Sequence, residues 1–409
     1  MVPGGSRAVR CTVMRPIGYS TNLHAAESLN ELVARMVPFA AAVRIGLGWD
    51  RLGVDLRLGD RALADLTLPG AQARLRRALD EHHLAAHTLN GFPLSEFQAA
   101  RVKEQAYLPD WTDPARLTSS LRLLEVALAL SDDRLLTIST VPGSYRPFGL
   151  AHNDPAIIAA NLGRWAAAAH RVFLATGRTA VLALEPEPWC LLENSHDVAW
   201  FWQGPLAEHG VAAATEEVGA EGAAAVARHL GVCVDTCHLS LAFEEQATAV
   251  ARMAAAGALI AKCQFSAAPE VLHPGTDAPG VAALRALAEP RFLHQTAARS
   301  ASGSVVKVSD LDQLDTLLSR LPNATAVRSH FHIPVFRQPT ANGLSTTVAD
   351  SAAGLAACRA HGCTHVAVET YTWSILAANE QDARSGTIRE LQHLDQLLQT
   401  LQRTEDHSP

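Results

Sequence analysis

Several features are scarce or missing in this sequence, and each absence removes a class of protein. Positive charge is short: 34 lysines and arginines stand against 41 aspartates and glutamates, giving a formal net charge of −7. No basic stripe interrupts the chain, which speaks against a nucleic-acid partner. Long apolar runs are missing too. The opening MVPGGSRAVR holds nothing long enough for a signal peptide, and the Ala-rich stretches near 165–176 and 247–261 are broken by Arg, His or Lys. No membrane span is therefore expected. The seven cysteines are scattered without a CxxC pair. An odd, unframed set predicts reduced thiols and a cytoplasmic location. Finally, no Gly-rich phosphate loop follows any apolar run, which disfavours a doubly wound nucleotide-binding sheet.

What remains is a chain built to bury a core. Of its 409 residues 48% are hydrophobic and only 18% charged, the reverse of a disordered composition. Short apolar runs alternate with longer amphipathic ones. The runs Ile17–Leu23, Val43–Leu47, Ala85–Leu89, Leu135–Thr140, Ala180–Leu184, Val232–Val234, Leu259–Gln264 and His365–Glu369 predict strands buried on both faces. Between them, Glu27–Ala42, Ala71–His83 and Pro155–Ala175 predict helices, the last opened by Asn153 and Asp154 before Pro155. Eight strands with intervening helices predict a (β/α)8 TIM barrel, α/β in class, more naturally than an open sheet. One large barrel domain absorbs residues 1–409, with an N-terminal stub over 1–12 and a mobile tail over about 403–409. Two stretches break the rhythm: a loop at 91–115 and a long insertion between strands 7 and 8, about 269–340, with an extra strand expected at Ala326–Phe336. Long loops at barrel strand ends are where function is built.

Ionisable residues gather at the expected strand ends. The first ends in Ser20-Thr21-Asn22-Leu23-His24, the second at Trp49-Asp50, and the third at Asn90. The fifth ends in Glu185-Pro186-Glu187, the sixth in Asp235-Thr236-Cys237-His238. The seventh carries Lys262, Gln264 and Ser266, and the eighth ends in Glu369. A barrel brings these ends to one rim. Two glutamates and an aspartate in one cavity repel unless a cation or protons offset them. Carboxylates with imidazoles suit Mn, Zn, Co or Mg, so a divalent metal cofactor is expected.

The order Glu185, Asp235-x-x-His238, Gln264, Glu369 resembles the xylose-isomerase-like barrel superfamily of sugar isomerases, hexulose epimerases and endonuclease IV. Within it, GYSTNLHAAES at 18–28, LEPEPWCLLE at 184–193, VDTCHLSLAFE at 234–244, KCQFSAAP at 262–269, FLHQT at 292–296 and SHFHIPVF at 329–336 are similar to the Ebo-cluster barrel proteins (EboE), known as metabolite-traffic proteins. The resemblance spans nearly the whole chain. It implies Glu185, Asp235 and Glu369 as metal carboxylates and a small-molecule metabolite as ligand, with other proteins of an Ebo-type gene cluster as partners. Gln264 stands where epimerases carry His, so His332 and His294, both from the insertion, are candidates for the fourth ligand. His238 is then a second-metal ligand or a substrate contact. An isomerase of this kind transfers a proton beside a carbonyl, with Glu185 and Glu369 as acid and base.

Plainer readings stand beside these. Lys262 shares the strand parity of Gln264 and Ser266. It either steadies an enolate oxygen, forms a Schiff base, or makes a salt bridge to Glu185 or Asp235. One of His330 and His332, alternating on a strand, is expected to be structural. Glu187, flanked by Pro186 and Pro188, either competes with Glu185 for its role or simply faces solvent. Trp189, Trp373 and Trp49 stack on a ligand ring or pack between loops, and His24, Asn90 and His294 join the substrate-binding candidates. His170 and His229 are expected at the surface of their helices. An isomerase, a binding protein without turnover, and a repair endonuclease remain the functional alternatives. Against the last, Asp50 and Asn90 occupy strand ends where endonuclease IV supplies histidines, and Pro186-Glu187-Pro188 replaces its Gly-rich segment.

Overall fold

A computed structural model describes residues 17–337 and 343–406. The stub at 1–12, the end of the insertion at 338–340 and the last residues of the expected tail, 407–409, lie outside the described residues. Eight parallel strands close into a barrel: β1 (Gly18–Ser20), β2 (Leu52–Arg57), β3 (Leu84–Asn90), β4 (Leu135–Thr140), β5 (Thr179–Leu184), β6 (Leu230–Asp235), β7 (Leu259–Phe265) and, after the insertion, β13 (His365–Val368). Each pairs with its sequence neighbour, and β1 closes the ring against both β2 and β13. The fold is the (β/α)8 TIM barrel.

One strand is a correction. Val43–Leu47 is the end of the helix Val37–Leu47, and the second barrel strand is Leu52–Arg57. Trp49 and Asp50 therefore precede their strand and sit at the opposite rim from the site, with Asp50 exposed. The true strand, Leu-Gly-Val-Asp-Leu-Arg, carries two charges in a fully buried segment. Each charge is met from far along the chain: Asp55 by Lys262 Nζ at 2.8 Å, and Arg57 by Glu27. Burial of a charge is tolerable only with such partners.

Helices form where expected, with their ends set by local chemistry. Pro155–Thr176 is capped by Asp154, whose carboxylate accepts the Ala156 and Ile157 amides at 2.9 and 3.3 Å. The expected helix at Glu27–Ala42 starts at Ser28, which forms a capping box with Glu31. The last helix, Glu380–Asp406, runs through most of the segment expected to be a mobile tail. His170 and His229 are buried rather than exposed, at 1% and 0%; His229 is held by the Ala180 carbonyl at 2.7 Å.

The insertion is a second, antiparallel sheet: β8 (Pro269–Leu272), β9 (Thr296–Ser300), β10 (Val305–Val308), β11 (Ala324–Ser329) and β12 (Ser345–Thr346), in the order β10-β9-β11-β8-β12. It has its own apolar core around Val271, Leu284, Leu314 and Leu317. The extra strand expected at Ala326–Phe336 ends at Ser329; the chain then leaves the sheet and carries His330 and His332 in irregular backbone to the barrel mouth. That exit is what positions the site.

Candidate metal centre

Parallel register sets the depth of each inward side chain. Cys233 of β6 lies beside Lys262 of β7, and Asp235 beside Gln264. The barrel interior is thus layered, with Lys262 below and the Asp235 carboxylate at the rim. Glu185 follows β5, Glu369 follows β13, and all three carboxylates are buried at 5% exposure or less. They come together. Glu185 and Asp235 each lie 4.0 Å from the His238 ring, and Glu369 stands in the field of Asp235.

Asp235 Oδ1 is fully engaged, accepting Ser266 Oγ at 2.6 Å and the Cys237 and His238 amides at 2.8 and 3.1 Å. Burial opposes charge on Asp235, yet the neighbouring imidazoles and these donors hold its carboxyl below the usual range. Glu369 Oε1 accepts Asn22 Nδ2 at 2.7 Å and Ser20 Oγ at 3.1 Å. Burial, then the other carboxylates, push Glu185 and Glu369 well above the ordinary carboxyl range. At the barrel mouth Asp235 Oδ2, Glu185 Oε2 and His332 Nε2 are buried without a hydrogen-bond partner, as are Asn22 Oδ1 and Gln264 Nε2 beside them. Buried acceptors without partners are rare and costly.

The histidines sharpen this. His332 Nδ1 lies 2.8 Å from the Glu369 carbonyl, His238 Nδ1 2.9 Å from the Pro186 carbonyl, and His330 Nδ1 2.7 Å from Gln295 Oε1. The Gln295 amide is oriented by its Nε2, which donates to Tyr107 Oη and the Pro188 carbonyl at 2.7 and 3.3 Å. Carbonyl oxygens only accept, so each Nδ1 carries the proton and each Nε2 presents a lone pair. Metal-binding histidines are commonly oriented this way. His332 Nε2 stands 3.9 Å from Asp235 Oδ2, and the Nε2 atoms of His238 and His330 are 3.0 Å apart. Burial lowers His238 to about 4 and His330 well below its ordinary value, so neither ring holds a second proton at neutral pH. Lone pairs that face each other and face carboxylates are offset by a cation or by protons. Ligand atoms of Glu185, Asp235 and His238, of Asp235, Cys237 and His332, and of the three histidines each fall within 4.8 Å of one another. A divalent cation fits this donor set.

Other expected residues lie elsewhere or do something else. Gln264 Oε1 takes the Cys233 thiol at 2.8 Å, leaving an amide donor rather than a ligand. Lys262 is bound to Asp55, on the missed strand, and to Ser139 Oγ at 3.0 Å, not to Glu185 or Asp235; it lies below the cavity and does not line it. His294 has both nitrogens committed, to the His330 carbonyl and Glu289 at 2.8 and 2.9 Å. Asn90 accepts the Phe92 amide at 2.9 Å and closes its strand end. His24 meets Tyr19 Oη at 3.1 Å, Trp373 donates to Glu390 at 2.7 Å, and the two line a separate cleft. Trp189 packs on the core. Glu187 is buried, not solvent-facing; it accepts Tyr107 Oη at 2.8 Å, and burial lifts its carboxyl to about 8. Tyr107 and Tyr371 carried no sequence signal, whereas Gln295 was within the FLHQT motif and Ser266 and Asn22 were within the strand-end motifs.

Above these groups lies a cavity of about 60 Å³, lined by Glu185, Glu187, His238, His330, His332 and Glu369 on its floor. Phe97, Val102, Phe292 and Tyr371 pack together over it.

No family model matches the sequence, and no curated protein matches it. Solved structures do match in shape. A xylose isomerase-like TIM-barrel protein from Mycobacterium smegmatis, in complex with magnesium, aligns over 94% of this chain and 97% of its own, at 10% identity and a TM-score of 0.50. An L-ribulose 3-epimerase aligns over 97% and 100% at 13% identity, TM-score 0.43. The IOLI protein with a bound zinc atom aligns over 92% and 98% at 10% identity, TM-score 0.42. The chain has the fold of the xylose isomerase-like (β/α)8 barrels.

Proposed function

We propose that this protein binds a divalent cation through Glu185, Asp235, His332 and Glu369 and interconverts a small hydroxy-carbonyl metabolite by proton transfer beside the carbonyl. The observation that carries the reading is the set of unpartnered buried acceptors, Glu185 Oε2, Asp235 Oδ2 and His332 Nε2, converging at the barrel mouth. When bound, the cation supplies Lewis-acid polarisation of the substrate's oxygens. The chain does the rest. Glu185 offers Oε2 to the cation and takes the proton from carbon on Oε1, and Glu369 returns one, its Oε1 steadied by Ser20 and Asn22. Carboxyls raised toward neutrality suit both roles. His238 and His330 accept from a substrate hydroxyl, with Gln295, Tyr107 and Glu187 fixing the His330 ring. Lys262 balances the charge of Asp55 beneath the site and stays out of the chemistry.

The likeness of the 184–193, 234–244 and 329–336 motifs to the Ebo-cluster barrels supports a second reading, a carrier that keeps the pocket without turnover. Two measurements separate these. Elemental analysis of the purified protein is expected to find at least one equivalent of Mn, Zn, Co or Mg; a metal-free protein that also fails to take up Mn²⁺ refutes the centre. With the cation in place, solvent deuterium appearing at a carbon beside the substrate carbonyl excludes a pure carrier. An abasic duplex is not expected to be cut, because a net charge of −7 opposes a phosphate backbone.

A further inference from the structure

The cavity has two unlike halves. Its floor is carboxylate and imidazole, while its walls and roof are Phe92, Pro93, Phe97, Val102, Phe292 and Tyr371. Polar side chains that reach the upper half are already engaged: Tyr107 Oη between Glu187 and Gln295, Asn22 Nδ2 on Glu369, and Lys103 Nζ on Asp310. Among the described residues lining the cavity, the Tyr371 hydroxyl, with no hydrogen bond, and Asn22 Oδ1, buried without one beside Glu369, are left to meet a ligand above the floor. A free sugar brings a hydroxyl on nearly every carbon, and each one buried without a partner loses its bonds to water. An apolar body exchanges water for aromatic contact instead. Size agrees, since at about 10–15 Å³ per water the 60 Å³ cavity holds roughly four to six waters, the bulk of one six-membered ring. Charge narrows the class further. The carboxyl groups of Glu185, Glu187 and Glu369 gather at the floor with no lysine or arginine among them, which disfavours an acid or a phosphate.

We infer that the ligand is a neutral α-hydroxy ketone with an apolar, ring-sized body: its vicinal oxygens reach the floor, and the ring lies under Phe97, Phe292 and Tyr371. This rests on the cation reading above. The test is calorimetry on the full chain, first with MnCl₂, then with 2-hydroxyacetophenone and D-fructose as probes on the Mn-loaded protein. The aryl ketone is expected to bind at least ~10-fold more tightly than fructose. Phe292→Ala should weaken the ketone ~10-fold while leaving Mn²⁺ affinity unchanged, and Phe97→Leu, a smaller change, should weaken it less. Retained Mn²⁺ binding certifies the fold of each variant. Fructose binding as tightly as the ketone, no ketone binding at all, or indifference to both substitutions overturns the inference while the cation stands. Failure of Mn²⁺ to bind the unaltered protein overturns both.

Discussion

At the scale of single residues, the site is made by what each atom is denied. Ser266 spends its hydroxyl on Asp235 Oδ1 and so aims Oδ2 at the centre. Removing such an orienting bond typically costs 10–100-fold in metal affinity. Ser266→Ala is therefore expected to lower Mn²⁺ affinity by roughly 10–100-fold with little change in the melting temperature, as calorimetry and thermal unfolding would register. An unaltered affinity would mean Asp235 is oriented without it. Deeper in the barrel, Lys262 and Asp55 are both fully buried and paired at 2.8 Å. Breaking a buried pair strands its partner's charge, so Lys262→Met is expected to cost about 3–5 kcal/mol in urea unfolding. The double replacement Lys262→Met with Asp55→Leu should recover much of that loss. If it does not, the pair's worth lies in its geometry rather than in charge balance.

Among the elements, the junction of the last helix with the site loop is decided by one side chain. Glu390, on Glu380–Asp406, accepts Thr370 Oγ1 at 2.6 Å, Trp373 Nε1 at 2.7 Å and the Val335 amide at 3.2 Å. It thereby ties the helix to the segment after Glu369 and to the one after His332, the two sources of candidate ligands farthest along the chain. Glu390→Ala leaves three buried donors unmet, at about 1–3 kcal/mol each. We expect a loss of stability of about 3 kcal/mol or more, with weakened cation affinity because both tethered segments loosen. Urea titration alongside Mn²⁺ binding checks this, and a destabilised variant with unchanged affinity would separate the helix from the site.

For the whole molecule, the candidate site is a reservoir of unfavourable charge that a bound cation would discharge. Burial lifts Glu187 to about 8 and Glu390 to about 7 from ordinary values of 4.5, and moves Glu185 and Glu369 well upward. A carboxyl whose folded pKa is raised favours the fold below its unfolded value. That favour is lost as pH climbs through the folded value. Imidazoles that burial lowers, His24, His229, His238 and His330 among them, act the opposite way up to their ordinary value near 6.5, so the metal-free protein is expected to melt at progressively lower temperature between about pH 6.5 and pH 8.5. Mn²⁺ at ~100 times its dissociation constant should restore about 2.7 kcal/mol, most of it at the alkaline end where the carboxylates are free of protons. A metal-free protein that grows more stable over that range would contradict the assignment.

The sequence by itself determined the architecture, because the alternation of buried runs with amphipathic helices depends only on local pattern. It determined the carboxylate frame as well: Glu185, Asp235 and Glu369 each close an apolar run, and a barrel sends every such end to one rim. The second strand escaped notice because Asp55 and Arg57 break its apolar run, and their partners, Lys262 and Glu27, are found only in space. Tertiary structure alone decided which imidazoles face the candidate site. His332 and His330 arrive on backbone that leaves a second sheet, whereas His294, equally available to sequence reasoning, is consumed by Glu289 and a carbonyl. A side chain's chemistry is written in its type, but whether its lone pair is spent depends on neighbours that no local pattern specifies.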